Sequence, residues 1–155
     1  MGLVVRPVTP ADRAAWLRMR RVLWPDPEDS HAQEIDAFLA GTLQNPLGVL
    51  VAVDDGDGDG DRGSVVGFVE LSIRNYAEDC VTDRIAYLEG WYVEEHARRR
   101  GVGRALVTAA EAWGRAQGCT EFGSDALLDN DVSAAAHRAL GFDETAQIRC
   151  FRKTL

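Results

Sequence analysis

The stretch Val93-Glu94-Glu95-His96-Ala97-Arg98-Arg99-Arg100-Gly101-Val102-Gly103-Arg104-Ala105-Leu106 decides how this chain is read. It has the form of a strand end, a short basic glycine turn and the start of a helix. At such a junction the backbone N–H groups from Arg99 to Arg104 can converge on an anion, held by the unpaired amides of the first helical turn and by the helix dipole. Gly101 and Gly103 carry no Cβ, so the backbone can approach a ligand closely. Arg98, Arg99 and Arg100 concentrate positive charge there, in a chain whose formal net charge is -8. Surface arginines also serve solubility alone, so the weight of the turn depends on its surroundings.

Those surroundings alternate strands with helices. Leu3 to Val8 reads as a strand. Thr9-Pro10-Ala11-Asp12 then supplies an N-cap, a proline at the first helical position and an acid in the first turn. A helix runs to about Trp24, where Pro25 and Pro27 stop it, and a second spans about His31 to Ala40. Gly48 to Val53 and Ser64 to Ile73 read as strands joined by the low-complexity tip Asp54 to Asp61. That tip starts like a calcium loop, but its twelfth position, counted from Asp55, is Val66 where a bidentate Glu is needed; it is expected to be a flexible acidic turn. Arg74 to Arg84 reads as a polar loop. After it come a strand from Ile85 to Glu94, the glycine turn, a helix from Gly103 to Gln117 and a strand from Cys119 to Asp125. A short helix from Asp131 to Leu140 and a last strand from Ala146 to Lys153 complete the order. No linker or repeat divides the chain, and the alternation implies a mixed sheet with helices on both faces.

Composition narrows the function classes. The chain has 155 residues, enough for one domain over 1–155 with its own core, and it is 46% hydrophobic and 27% charged. Its longest apolar run, Val49 to Val53, is too short to span a bilayer, and no charged segment precedes an apolar stretch in the manner of a secretory signal. Cys80, Cys119 and Cys150 fit neither a disulfide framework nor a zinc site, which suits a reducing cytoplasm. A pI near 4.8 argues against nucleic acid and suits a cationic partner. No membrane and no metal are expected.

The turn Arg98-x-x-Gly101-x-Gly103, followed by Asn130 and by Ala139-Leu140-Gly141-Phe142, resembles the GNAT superfamily of acetyl-CoA-dependent N-acetyltransferases over nearly the whole chain. It differs from the dinucleotide fingerprint, which needs a further glycine where Leu106 stands. Leu23-Trp24-Pro25, Tyr87 to Val93, Gly118 to Asp125, His137 to Thr145 and the ending Phe151-Arg152-Lys153 are similar to the aminoglycoside 6′-N-acetyltransferases. The resemblance implies the GNAT fold, α/β (α+β), with a mixed, mostly antiparallel central sheet flanked by helices on both faces.

It also implies roles. Trp91, Tyr92 and Val93 would pair by main chain with the pantetheine arm of acetyl-CoA, although all three also suit sheet core. Arg98, Arg99, Arg100, Gly101, Val102, Gly103 and Arg104 would cradle the pyrophosphate. Asn130 would reach the CoA arm or serve only as an N-cap. A polycationic amine needs carboxylates: Glu89 is in phase with Tyr87 and Trp91, and Glu70 with Phe68. A carboxylate within an apolar strand is costly unless paired, so an internal ion pair is the competing reading of both. Trp24 and Tyr76 would wall the substrate, or merely cover the core. Asp125 would bind the amine and accept its proton. His137 stands where many superfamily members place a tyrosine; it would serve the CoA sulfur as an acid, or only by a hydrogen bond, or lie on the surface. Ala146 and Cys150 depart from the pattern of relatives, which places the preferred antibiotic in doubt. A homodimer is expected. The alternatives are a GNAT enzyme for another amine (polyamine, amino acid or protein N-terminus) and a CoA-binding regulator without turnover.

Overall fold

The computed structural model describes residues 2–56 and 63–155. Strand β1 (Leu3–Pro7) leads through a 3-10 turn (Pro10–Asp12) into helices α1 (Arg13–Leu23) and α2 (His31–Leu39). Strands β2 (Gly48–Asp54), β3 (Ser64–Arg74) and β4 (Ile85–Val93) come next, then α3 (Val102–Ala116), β5 (Phe122–Ser124) and α4 (Asp131–Ala139). The sheet order is β1-β2-β3-β4-β5. The first three pairings are antiparallel and β4 with β5 is parallel, which is the mixed, mostly antiparallel sheet expected.

Period-two alternation sends successive side chains of β2, β3 and β4 to opposite faces. On one face Leu50, Val69, Leu71 and Leu88 meet Val102, Leu106 and Ala110 of α3. On the other, Val51 and Phe68 meet Trp16 and Met19 of α1 and Ile35 of α2. Helices therefore cover both faces.

Two irregularities shape the edge of the sheet at β4. Glu70 pairs with Gly90 but Leu71 pairs with Leu88, so Glu89 is an extra residue bulged from β4. Strand β5 pairs only with Ala86, Tyr87 and Leu88 and ends at Ser124. Among the described residues, β4 from Glu89 onward has no strand beside it on that edge, because the pairing of the two strands ends at Leu88 and Ser124.

Several expectations shift. Residues Cys119 to Glu121 are not strand: the Cys119 amide donates to the Gly114 carbonyl, closing the end of α3. Arg74 belongs to β3 rather than to the following loop. The expected strand Ala146–Lys153 does not form, and the segment is exposed throughout. A strand needs a ladder partner for its amides and carbonyls, and no neighbour within the described residues supplies one. Residues 57–62 of the acidic tip lie outside the described residues; of its base, Asp54 pairs with Arg100 at 3.2 Å. No described helix is long and apolar enough to cross a membrane.

Candidate active site

The glycine turn leaves β4 through a short 3-10 segment (Glu95–Ala97) and enters α3 at Gly101. Gly101 has φ 82° and Arg99 φ 60°, both left-handed, a conformation that glycine adopts without steric cost and that turns successive amides toward one side. The first hydrogen bond of α3 runs from the Ala105 amide to the Gly101 carbonyl, so the amides of Val102, Gly103 and Arg104 precede it. A Cβ on Gly103 would meet the Trp91 ring at 3.0 Å. The turn's arginines are less available than their number suggests. Arg98 donates to the Val93 carbonyl at 2.9 Å, Arg100 pairs with Asp54, and Arg104 reaches the Ala139 carbonyl at 3.4 Å. The backbone, with exposed Arg99, offers the anion site.

From this turn the open edge of β4 runs back through Val93, Tyr92 and Trp91 to a vertex at Leu88 and Ser124, the last pair of β4 with β5. Around the vertex the two faces differ. On the α3 face stands His137, edge-on to Trp91 at 5.3 Å and to Phe142 at 5.1 Å. Its Nδ1 lies 2.7 Å from the Ser133 carbonyl and its Nε2 2.7 Å from the Ser124 hydroxyl. A carbonyl only accepts, so Nδ1 carries the hydrogen and neutral His137 presents Nε2 as an acceptor to Ser124. Expected as a proton donor to sulfur, His137 is placed behind the Ser124 hydroxyl, with a hydrogen at Nε2 only when doubly protonated. Asn130 accepts from the Ser133 amide at 3.1 Å as the N-cap of α4.

On the opposite face an acidic cluster gathers. Asp125, exposed just past β5, accepts from the Tyr87 hydroxyl at 2.7 Å. Burial and the Asp125 carboxylate push the Tyr87 phenol far above its ordinary range, so it remains a donor. The bulged Glu89 is half-buried and accepts a fork from Arg74, Nε to Oε1 at 2.9 Å and Nη2 to Oε2 at 2.7 Å, with the Ser72 hydroxyl also on Oε1. Burial raises the Glu89 carboxyl, but Arg74 and Ser72 outweigh it and hold the group below its ordinary value. The Arg74 guanidinium lies 3.5 Å over the Tyr87 ring.

Trp24, half-buried at the end of α1, packs so tightly on β4 that a Cβ at Gly90 would fall 2.4 Å from its ring. Tyr76 is 68% exposed on the loop after β3. Glu70, expected at the substrate, is placed elsewhere: it is 2% exposed, beneath α1. Its Oε1 accepts from Trp16 Nε1 at 2.9 Å and lies 2.9 Å from Arg20 Nε as an ion pair without hydrogen-bond alignment. Arg20 continues to Glu34 at 2.7 Å and lies 5.3 Å from the Trp24 ring centroid. Burial pushes the Glu70 carboxyl up against the pull of Arg20. The competing reading, an internal ion pair, describes Glu70.

Sequence reading missed Ser72, Arg74, Tyr87 and Ser124. Ser72 and Arg74 continue the same strand phase as Glu70, and that phase was their only signal. A hollow of about 500 Å³ beyond α1, lined by Arg21, Pro25, Asp26, Pro27 and Asp29, contains none of the site residues. Among the described residues no group of three or more His, Cys, Asp or Glu could hold a metal ion.

Comparison with known proteins matches residues 14–142 to the acetyltransferase (GNAT) family. The chain is 54% identical over 153 residues to an aminoglycoside N(6′)-acetyltransferase type 1 of Klebsiella aerogenes, covering 98% of this chain and 97% of that protein. It is 37% identical to a protein of the same name from Acinetobacter baumannii, covering 97% and 98%. Among solved structures, AAC(6′)-Iy in complex with the bisubstrate analogue CoA-S-monomethyl-acetylneamine superposes with a TM-score of 0.87 at 31% identity over all of both chains. AAC(6′)-Ih from Acinetobacter baumannii superposes at 0.85, with 37% identity and 99% of each chain covered. An open β4 edge, a glycine turn at one end of it and acids at the other are thus set in a chain that belongs to the GNAT family of acetyltransferases.

Proposed function

We propose that the protein is an acetyl-CoA-dependent aminoglycoside 6′-N-acetyltransferase that confers antibiotic resistance, one cytoplasmic catalytic domain over residues 1–155. The observation that carries this reading is the unpaired β4 edge beyond Leu88, where β5 has ended. An extended thioester arm fits along the open β4 edge as an added strand, its main-chain groups paired by Trp91, Tyr92 and Val93. Its pyrophosphate falls on the Arg98–Arg104 turn, and its thioester reaches the vertex, where Asp125 stands on the acceptor side. Asn130, an N-cap in the fold, borders the arm.

The chain's residues then divide the work. Trp24 and Tyr76 flank the acceptor ring. Asp125 binds the 6′-ammonium; such amines are mostly protonated at neutral pH, so a proton must leave before nitrogen attacks. Asp125 takes it, directly or through water, while Tyr87 fixes the carboxylate's orientation. The amine forms the new C–N bond as the C–S bond breaks, and the nitrogen's second proton passes to the departing CoA sulfur, giving the amide and CoA thiol. Ser124 stands at the vertex; its hydroxyl hydrogen rests on His137 Nε2 in the free protein and turns to the sulfur as negative charge develops there. Alignment of amine and thioester supplies much of the rate.

The net charge of -8 supports a small cationic acceptor over nucleic acid. Cys80, Cys119 and Cys150, all free, suit the cytoplasm. A homodimer is part of the proposal: residues 146–153 extend without a strand partner among the described residues and expose Ile148 and Phe151, which a second copy would cover. Thiol release from acetyl-CoA, measured against aminoglycosides, polyamines and peptides with mass spectrometry of the products, tests the activity. Acetylation at the 6′ nitrogen is expected, and brisk turnover of polyamines or peptides alone would overturn it. Light scattering at micromolar concentration tests the dimer.

A further inference from the structure

The acceptor side of the site already holds a cation of its own. Arg74, the last residue of β3, engages both oxygens of Glu89, at 2.9 Å and 2.7 Å. Its guanidinium lies 3.5 Å over the Tyr87 ring, and the hydroxyl of that ring donates to Asp125. A planar guanidinium forked onto a carboxylate and stacked on an aromatic face satisfies the contacts an ammonium would otherwise seek there. Glu89 has its remaining capacity reduced by the Ser72 hydroxyl on Oε1. Asp125, by contrast, is bonded to a neutral phenol and has no ion-pair partner among the described residues.

Two acids therefore face the acceptor with unequal charge. Glu89 and Arg74 together sum to zero; the field of Arg74 also reaches Asp125, which has no ion pair of its own among the described residues and leaves the net negative charge beside the vertex. We infer that Arg74 is a specificity-determining residue that masks Glu89, so that the polycationic acceptor is drawn to Asp125 and the reacting amine is the one seated there. The inference rests on the proposed acceptor class and deepens it, since it states which of two carboxylates reads the reactive amine. A substrate with several ammonium groups has several ways to meet two open acids, and only one of them aligns nitrogen with the thioester. Masking one acid trades affinity for alignment.

The sign of this effect separates it from a structural role. Arg74→Met keeps the apolar stem over Tyr87 and removes the charge. With saturating acetyl-CoA and tobramycin as acceptor, KM should fall about three- to tenfold, the scale of one partly exposed charge contact, and kcat should fall with it. Calorimetry should show tighter binding of both tobramycin and spermidine, with a steeper loss of affinity on adding salt. The double variant Arg74→Met/Glu89→Gln, which restores neutrality without the ion pair, should return KM and Kd toward wild type. A KM or Kd for Arg74→Met that is unchanged or raised would overturn the inference, as would a double variant that binds as tightly as the single one. If Arg74→Met does not fold, Arg74→Gln takes its place, with the same signs required. Absence of aminoglycoside turnover in the wild type would sink the proposed activity instead, while the spermidine ratio between variant and wild type would still decide the masking.

Discussion

Two glutamate–arginine pairs stand on the same face of the sheet and do different things. Glu70 with Arg20 lies beneath α1, with side chains 3% and 8% exposed; Glu89 with Arg74 lies at the mouth, at 30% and 40%. The chemistry is the same, and burial separates them. The inner pair cannot exchange with solvent, so its worth is structural: it anchors Trp16 and brings Arg20 against Trp24. The outer pair is wet enough to be rearranged by a ligand that carries charge. An acid in a strand is thus not a binding group by residue type; its water exposure decides.

The largest expected effect tests that separation directly. Arg20→Met leaves Glu70 as a buried, uncompensated carboxylate and should cost about 3–5 kcal/mol of unfolding free energy in urea titration. Arg74→Met should cost about 1 kcal/mol or less, as a partly exposed pair does. Equal losses would erase the distinction between the pairs.

Next in size is Asp125→Asn, which keeps shape and hydrogen bonding but removes charge and basicity. It should lower kcat/KM for an aminoglycoside by about 10² or more while the affinity for CoA holds. Against it stands His137→Ala, expected to cost about tenfold or less, since in the proposed mechanism His137 only holds Ser124 beside a thiolate that already leaves readily. Steady-state rates with saturating acetyl-CoA check both. A near-wild-type Asp125→Asn beside an inactive His137→Ala would reverse the roles of the two faces.

The smallest effect is a difference of slope. Glu70 has a raised folded pKa, so its favourable contribution is complete below the ordinary value of 4.5 and is lost as pH rises through the raised one. Glu89 has a lowered pKa, so its contribution is present above 4.5 and is lost as pH falls through the lowered one. Urea midpoints between about pH 3 and pH 7 should therefore show opposite changes. With rising pH, wild type should lose stability relative to Glu70→Gln and gain it relative to Glu89→Gln. Parallel curves would show that the two carboxyls share one environment.

What the sequence disclosed tracks the range of the forces involved. The glycine turn was readable because helix-terminus amides and left-handed residues act within a few positions, and Arg98 to Leu106 contain all of them. The order of strands and helices was readable from hydrophobic period and from Thr9, Pro25 and Gly118 at their ends. Trp24, Glu89 and Asp125 were singled out through resemblance; strand phase, which set Glu89 with both Tyr87 and Trp91, failed for Trp91 because the bulge at Glu89 sends that ring to the α3 face. The ion pair of Glu70 was not assignable, because Arg20 comes from a distant helix and nothing local pairs them. Arg74 was lost to the loop because, although it continues the phase of Glu70 and Ser72, a polar residue at a strand end does not stand out from the polar loop that follows. Ala146 to Lys153 has the composition of a strand, yet its state depends on a ladder partner outside its own sequence.

Trp24 and Gly90 have a consequence for how such a site can change over time. With a Cβ at position 90 falling 2.4 Å from the indole, no side chain is admitted there while the indole stays. A smaller residue at position 24 would open room that a residue at 90 could later fill, so the two positions are coupled and their substitutions are ordered. Any lineage that places a side chain at position 90 must pass first through a variant with a gap at position 24, and it needs stability in reserve to survive that intermediate.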